Sequence, residues 1–545
     1  MKETEVSITI LQSQDSTLSI MHFASKLCLS VLTVGQVLQP ALCQFTTPTI
    51  PEDTGVVLDS QNVSAAAFIG APWEAQPLRA KTRFSPDIVG FHQDAGNSRT
   101  NDWDGPLGDS PQVFSRSVAM SAQFWHDDNR LTARIVCGDA VAAHFCIAAL
   151  DPETLDTLAT WAPENQTLFT PYATATNRTI ILPTLQGHIF EVERVDGVKE
   201  TTLRQLRDID LTGTLPEGHS PSSSYYDEDG NIWFSAVRLA STGSIEDSSI
   251  LGYVTPNGTI HTTRIDNQRI ENSMAVNGKT IYINSGPLTS NVANDTGNMI
   301  AFQASASGDI EPIWLETYSA GSASKPGGFA RGSGSTPALI GDKLVAMTDN
   351  ADVQVNLVVY RQTEDYQKNL PEGGSSFVCQ VPLFQPNASA NENAMVGYYD
   401  GSTYSVVINN NYGAPEMQSL GDVDDINGDF NNLASLAPGI TRVDISDDGN
   451  CKVRWTLQVR STSVLSLSTA NGLVYSYTQD EELAEDGKYV WYFTAIDFKT
   501  GELAWRVRSG AGGNYNNNVA PTQMSPNGGI YQVVLGGVTW LRDDI

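Results

Sequence analysis

Val490–Val507 reads VWYFTAIDFKTGELAWRV. Two apolar runs, Val490–Ile496 and Leu503–Val507, flank Asp497-Phe498-Lys499-Thr500-Gly501-Glu502. Aromatic and β-branched residues broken by an Asp/Lys/Thr/Gly turn read as a β-hairpin. Just upstream, Val464–Thr469 and Leu473–Thr478 are split by Asn471-Gly472, a strong short turn signal. Four antiparallel strands in about fifty residues make one propeller blade. Ala149-Leu150-Asp151-Pro152-Glu153-Thr154 repeats the A-x-D-x-x-T turn, and Met299-Ile300-Ala301-Phe302 enters a similar one.

Working outward, similar groups of short apolar runs recur from Ser115 to the C-terminus, and helical periodicity is missing throughout. The expected fold is therefore all-β: a single β-propeller of seven to eight four-stranded blades spanning 115–545. The last unit (Ala520–Met524, Gly529–Leu535, Val538–Leu541) lacks an outer strand. An N-terminal strand from the arm 44–114 is expected to close the ring and remove the exposed edge, with Ala65–Ile69 or Ile88–Phe91 as candidates.

The first 43 residues read as a targeting segment. Leu27–Val37 is an apolar run after Lys26, and Ala41-Leu42-Cys43 suits cleavage before Gln44, with Met21 as the expected true start. The run is too short for a membrane span. A secreted or secretory-lumen location follows. Six N-x-S/T sequons, at Asn62, Asn165, Asn177, Asn257, Asn294 and Asn387, agree with it. So do Cys137, Cys146, Cys379 and Cys451, an even set once the leader is removed. Four cysteines allow three pairings; Cys137–Cys146 across a hairpin and Cys379–Cys451 between neighbouring blades is the expected one. The formal charge of −30 argues against nucleic acid or an anionic membrane as partner.

No C-x-x-C or H-x-x-x-H spacing points to zinc, and no metal or cofactor is expected. Gly421–Asp429 carries calcium-like oxygens but lacks the loop's glycine and closing glutamate spacing, so it reads as a solvated acidic loop. His126-Asp127-Asp128 sits at an expected turn and reads as surface. Polar residues instead recur where innermost strands begin: His219, Glu271-Asn272, Arg331, Glu392-Asn393 and Asn517. Equivalent repeat positions would place them in one ring around the channel mouth. Such groups also serve to bond neighbouring blades. In the loop Phe91–Ser110, His92 and Trp103 are expected to cap that mouth.

The form at Ala495–Trp505, A-x-D-x-x-T-G-E-x-x-W, resembles the blade motif of quinoprotein-like propellers, although the chain has no Cys-Cys pair. The whole mature chain resembles a secreted fungal β-propeller group. The likeness rests on layout and on Gly332-Ser333-Gly334-Ser335-Thr336-Pro337, Thr348-Asp349-Asn350-Ala351-Asp352 and Asn514-Tyr515-Asn516-Asn517-Asn518. Some members of that group are intermolecular hetero-Diels–Alderases of tropolone-sesquiterpenoid biosynthesis. The resemblance implies a cofactor-independent cycloaddition of a polyketide-derived o-quinone methide onto a humulene-type terpene. In that reading Arg331 donates to the diene carbonyl, Glu271 or Glu392 is the acid, and His92, Trp103, His219, Asn272, Asn393 and Asn517 line the substrates. The alternatives are a non-catalytic glycan- or ligand-binding propeller and a quinoprotein-like oxidoreductase.

Overall fold

The computed structural model describes residues 63–544 apart from 86, 139–141, 241–243, 289–295, 330, 370–373 and 416–424. The repeat at Val490–Val507 forms as the residues require. The Asp497 carboxylate accepts the Lys499 amide at 2.9 Å and the Thr500 hydroxyl at 2.7 Å, and the Gly501 amide returns to the Asp497 carbonyl at 2.8 Å. Gly501 sits at φ +78°, and a Cβ there would lie 2.5 Å from the Trp455 ring. Asp151 builds the same turn on the amides of Glu153 and Thr154, with Leu155 at φ 60° in the glycine's place. A side chain at that φ is strained, yet Leu155 is fully buried, and its packing offsets the strain.

Eight sheets follow one another around a ring, giving an eight-bladed propeller. The innermost strands, blades 1 to 8, are Met120–Trp125, Thr174–Thr176, His219–Tyr226, Ala275–Asn277, Ala338–Ile340, Val396–Tyr399, Ser466–Ser468 and Thr522–Met524. We call the face where these strands begin the upper face and the face where they end the lower face. The second blade opens at Thr174, five residues before the apolar run at Thr179 that marks it in the sequence. Outer strands such as Cys451–Leu457 alternate between exposed and half-buried residues, whereas the second and third strands of blade 7 are buried throughout. The apolar cores lie between adjacent blades, where Trp233, Trp491 and Trp505 are fully buried.

The ring is closed by an N-terminal strand, but not one of the two expected from the sequence. Pro111–Arg116 pairs antiparallel with Gly537–Asp543, from Pro111↔Asp543 to Arg116↔Val538, and supplies the outer strand of blade 8. Phe68–Gly70 instead adds a fifth, outermost strand to blade 7, and Ile88–Gly90 pairs with the innermost strand of blade 2. The closing strand, PQVFSR, is short, starts with proline and is largely polar, so its apolar signal is weak. The disulfides are Cys137–Cys146, across the hairpin of blade 1, and Cys379–Cys451, between the outer strands of blades 5 and 6.

The segment after Ile88–Gly90 departs most from expectation. Phe91–Asn101 is not a loop over the mouth; it fills the hub. An innermost strand leaves its channel-side N–H and C=O groups without a neighbour. Here four such amides, Val276, Leu339, Gly397 and Leu467, donate at 2.7–2.9 Å to the carbonyls of Ala95, Gly96, Ser98 and Arg99. Each donor is the second residue of its innermost strand, in blades 4, 5, 6 and 7. The segment is thus a belt that steps from blade to blade around the channel wall. Thr100–Asn101 then runs parallel to Ser466–Ser468 down to the lower face.

Arg99 anchors this belt. It is fully buried and donates to the Leu465 carbonyl at 2.8 Å, the Gln523 side chain at 3.0 Å, the Ser466 hydroxyl at 2.6 Å and the Thr522 carbonyl. Burial lowers its pKa to about 9, against the opposing pull of Asp94. Gln93, Asn97 and Arg99 all take positive φ, a conformation that persists only where the surroundings over-determine it.

Candidate functional site

The belt occupies the hub, and the segments preceding the innermost strands bound the upper face. His92 forms part of its floor: 3% exposed, its Nε2 3.4 Å from the Thr336 hydroxyl, its ring against Phe91 at 4.8 Å. Burial and the nearby Arg99 charge hold its pKa well below 6.5, so the ring is neutral. His92 therefore does not cap the mouth; it lies beneath it.

Two carboxyl groups from the segments preceding innermost strands lie within electrostatic reach of one another on this face. Glu271 precedes the strand of blade 4, and Glu392 that of blade 6. Burial raises the Glu271 pKa to about 7, partly opposed by Arg269 at 3.8 Å. Its side chain keeps 18% exposure, so it is recessed but reachable by water. Burial pushes Glu392 well above the usual carboxylate range, the Glu271 charge adds to that, and the Phe329 amide works the other way. A glycine-rich loop from the outer strand of blade 4 wraps Glu392. A Cβ on Gly334 would lie 2.6 Å from the Glu392 carboxyl carbon, and one on Gly328 would lie 3.0 Å from its oxygen. Both carboxyls are raised by burial, and the Glu271 charge raises Glu392 further, an environment suited to acid/base work.

Tyr172 completes the site, and the sequence reading missed it. It lies two residues before Thr174–Thr176 in blade 2, whereas Glu271 and Glu392 each lie four residues before their strands. Its ring meets Phe91 edge-on at 5.4 Å and lies 6.1 Å from the His92 ring. Burial, with the Glu392 charge second, raises its pKa to about 12. Repeat position does not mark it, because the apolar run of blade 2 starts only at Thr179 and its offset from the strand differs from that of the two glutamates.

The remaining residues expected at the mouth are committed elsewhere. Arg331 is 5% exposed and its Nε donates to the Gly321 carbonyl at 2.9 Å. Asn393 joins the Asn409 side chain and the Thr462 carbonyl, at 3.0 and 3.2 Å. Asn517 accepts the Thr462 hydroxyl at 2.9 Å, Asn272 donates to the Ser333 carbonyl at 3.0 Å, and the His219 ring contacts the Ser248 carbonyl at 3.1 Å. These are mostly bonds between neighbouring blades or connecting loops. Trp103 lies at the lower face: its carbonyl accepts the Ser468 hydroxyl at 2.7 Å and its ring packs against the cores beside blade 7. His126 closes the first hairpin of blade 1.

Among the described residues no group of three His, Cys, Asp or Glu is placed to hold a metal ion. Residues 421–424 of the acidic stretch Gly421–Asp429 lie outside the described residues, as do Asn62 and Asn294. Asn165, Asn177, Asn257 and Asn387 are exposed. No helix among the described residues is long and apolar enough to cross a membrane.

No family model matches the chain. It is 24% identical over 241 residues to an uncharacterized protein of Archaeoglobus fulgidus, a match covering 42% of this chain and 45% of that protein. The chain thus spans about half the length of that relative. Among solved structures, Sqt1 from Chaetomium thermophilum, bound to the N-terminus of the ribosomal protein L10, aligns with TM-score 0.44 at 11% identity. The alignment covers 82% of this chain and 100% of that one. A second structure of Sqt1 gives TM-score 0.43 at the same identity and coverage.

Proposed function

We propose that the upper-face site is a small-molecule active site. In it Glu392 acts as general acid and Glu271 as general base, in a cofactor-independent intermolecular hetero-Diels–Alder reaction. The substrates are a hydroxymethyl tropolone of polyketide origin and a humulene-type sesquiterpene. Two recessed carboxyls coupled to one another, both raised by burial, support this reading. Glu392 gives its proton to the departing hydroxyl while Glu271 takes the proton of the ring hydroxyl. One C–O bond breaks, one water leaves, and the o-quinone methide forms without change of oxidation state. The alkene then adds across the oxadiene, making one C–C and one C–O bond. Proton donation of this kind supplies about 10²–10⁴-fold. Holding both partners in near-attack geometry contributes about 7–11 kcal/mol at best.

The same reading takes the protein through the secretory pathway. The two disulfides and the exposed sequon asparagines support that route.

The test is incubation of purified protein with the hydroxymethyl precursor and humulene, beside a boiled sample and the Glu392→Gln variant. The expected result is adduct formation above the boiled control and about a hundredfold loss in the variant. Identical yields and stereoisomer ratios in native and boiled samples would end the proposal.

A further inference from the structure

Blades 4 and 5 are stitched together at two levels along their facing edges. At the upper end the Asn350 amide donates to the Ser319 carbonyl at 2.9 Å, and the Asn350 side chain donates to the carbonyls of Ala320 and Ala323 at 2.9 and 3.0 Å. Further down, Glu316 in the outer strand Ile310–Ser319 of blade 4 accepts the Ser376 amide at 2.6 Å and the Ser375 hydroxyl at 2.5 Å. Thr317 and Tyr318, between the two stitches in the chain, line a cavity of about 370 Å³ together with Val358 of the facing blade. Small-molecule sites span about 300–1,000 Å³.

The lining combines an aromatic ring with hydrogen-bonding groups that the fold leaves free. Phe377 lines the cavity yet is 44% exposed, and its ring is held edge-on against the Tyr360 ring at 6.3 Å. The side chains of Thr317, Ser319 and Gln380, also in the lining, have no hydrogen-bond partner among the described residues. Asp349 is buried; its Oδ1 accepts the Ala351 and Asn356 amides at 3.3 and 2.7 Å, and its Oδ2 accepts the Asn356 side chain at 2.7 Å. A carboxylate offers about four acceptor positions, so one on Oδ2 remains for a ligand. Two donors in the same interface also lack partners. The Trp314 Nε1 and the Tyr360 hydroxyl are buried without one, their rings stacked at 5.8 Å. Buried polar atoms left unsatisfied are rare in a folded chain, and a ligand or water nearby completes them.

We propose that this cleft is a carbohydrate-binding site for one or two neutral sugar rings, separate from the upper-face site and independent of the reaction assigned to it. A pyranose carries C–H bonds on one face and hydroxyls around its rim. The face lies on Phe377, while the rim hydroxyls donate to Asp349 and bond with Gln380, Thr317 and Ser319. Of the described residues lining the cavity only Asp349 is charged, and the chain carries a net charge of −30, so neutral sugars are preferred to acidic ones.

The test titrates methyl β-glucoside, methyl β-galactoside and methyl α-mannoside into the full chain, read by saturation-transfer NMR, with glucuronate and glycerol as comparisons. At least one of the three glycosides should bind wild type, and glycerol, which has hydroxyls but no ring face, should not. Phe377→Ala should weaken that binding about tenfold. Gln380→Ala should weaken it about fivefold; this side chain is exposed and bonded to no other residue described, so its replacement leaves folding untouched. No binding of any glycoside to wild type, or equal binding by wild type and both variants, overturns the assignment. Glycerol binding as well as the glycosides overturns the stacking on Phe377, and glucuronate binding as tightly as the glucoside overturns the role given to Asp349. None of these readouts depends on adduct formation at the upper-face site, so the two proposals stand or fall separately.

Discussion

Glu271→Gln should make the protein more stable at neutral and alkaline pH while disabling the site. The wild-type carboxyl titrates near 7 in the folded chain against 4.5 as its ordinary value. Between those values the folded state holds a proton that the unfolded state has released, so stability falls as pH rises through that window and levels off above it. A rise of that size corresponds to about 3 kcal/mol at most, and water reaching the 18% exposed side chain reduces it. Glutamine does not ionise and escapes the cost. Removing the charge also eases the ionisation of Glu392, which acts in the same direction. Against this, Arg269 loses its partner at 3.8 Å, worth about 0–1 kcal/mol for so long and partly exposed a pair. The net gain is about 2 kcal/mol at pH near 8 and near zero at about pH 4, below both titrations. For a chain of this size that gain raises Tm by about 2 °C. Thermal melts of both proteins at the two pH values measure it. A variant that melts at or below wild type at pH near 8, or gains equally at both pH values, refutes the buried-acid argument.

Replacing Arg99 by methionine should cost about 3–5 kcal/mol in urea unfolding, because four acceptors in the hub lose their donor; an unchanged midpoint would mean that the belt does not anchor the ring. Deleting 111–116 should leave blade 8 with a bare edge and give aggregated protein on size-exclusion chromatography, whereas deleting 68–70 removes only an added fifth strand and should leave it monodisperse. Replacing Cys379 and Cys451 by serine opens a 72-residue separation and should cost about 4 kcal/mol by loop entropy. The same change at Cys137 and Cys146, separated by 9, should cost about 2.5 kcal/mol, and denaturant melts give the order.

Much of the chain was legible because blade structure is local. The Asp497 turn, the Asn471-Gly472 turn and the apolar runs around them act within a few residues, and hairpins follow from them. The cysteine pairs were legible for the same reason: one lies within a hairpin and the other joins adjacent blades. Glu271 and Glu392 were singled out by repeat position, since each lies four residues before its innermost strand. Tyr172 was missed when an innermost strand of only three residues, TAT, gave no apolar run to mark it.

By itself, then, the sequence determined strand, turn and repeat, because those depend on periodicity and on residues a few positions apart. What closes the ring and what fills it were decided only in three dimensions. Pro111–Arg116 and Phe91–Asn101 are polar and irregular, and their partners lie hundreds of residues away in the chain. They are held by backbone bonds to strand edges that exist only after eight blades have assembled. A backbone amide carries no side-chain signature, so no pattern in the letters marks the segment that will meet it.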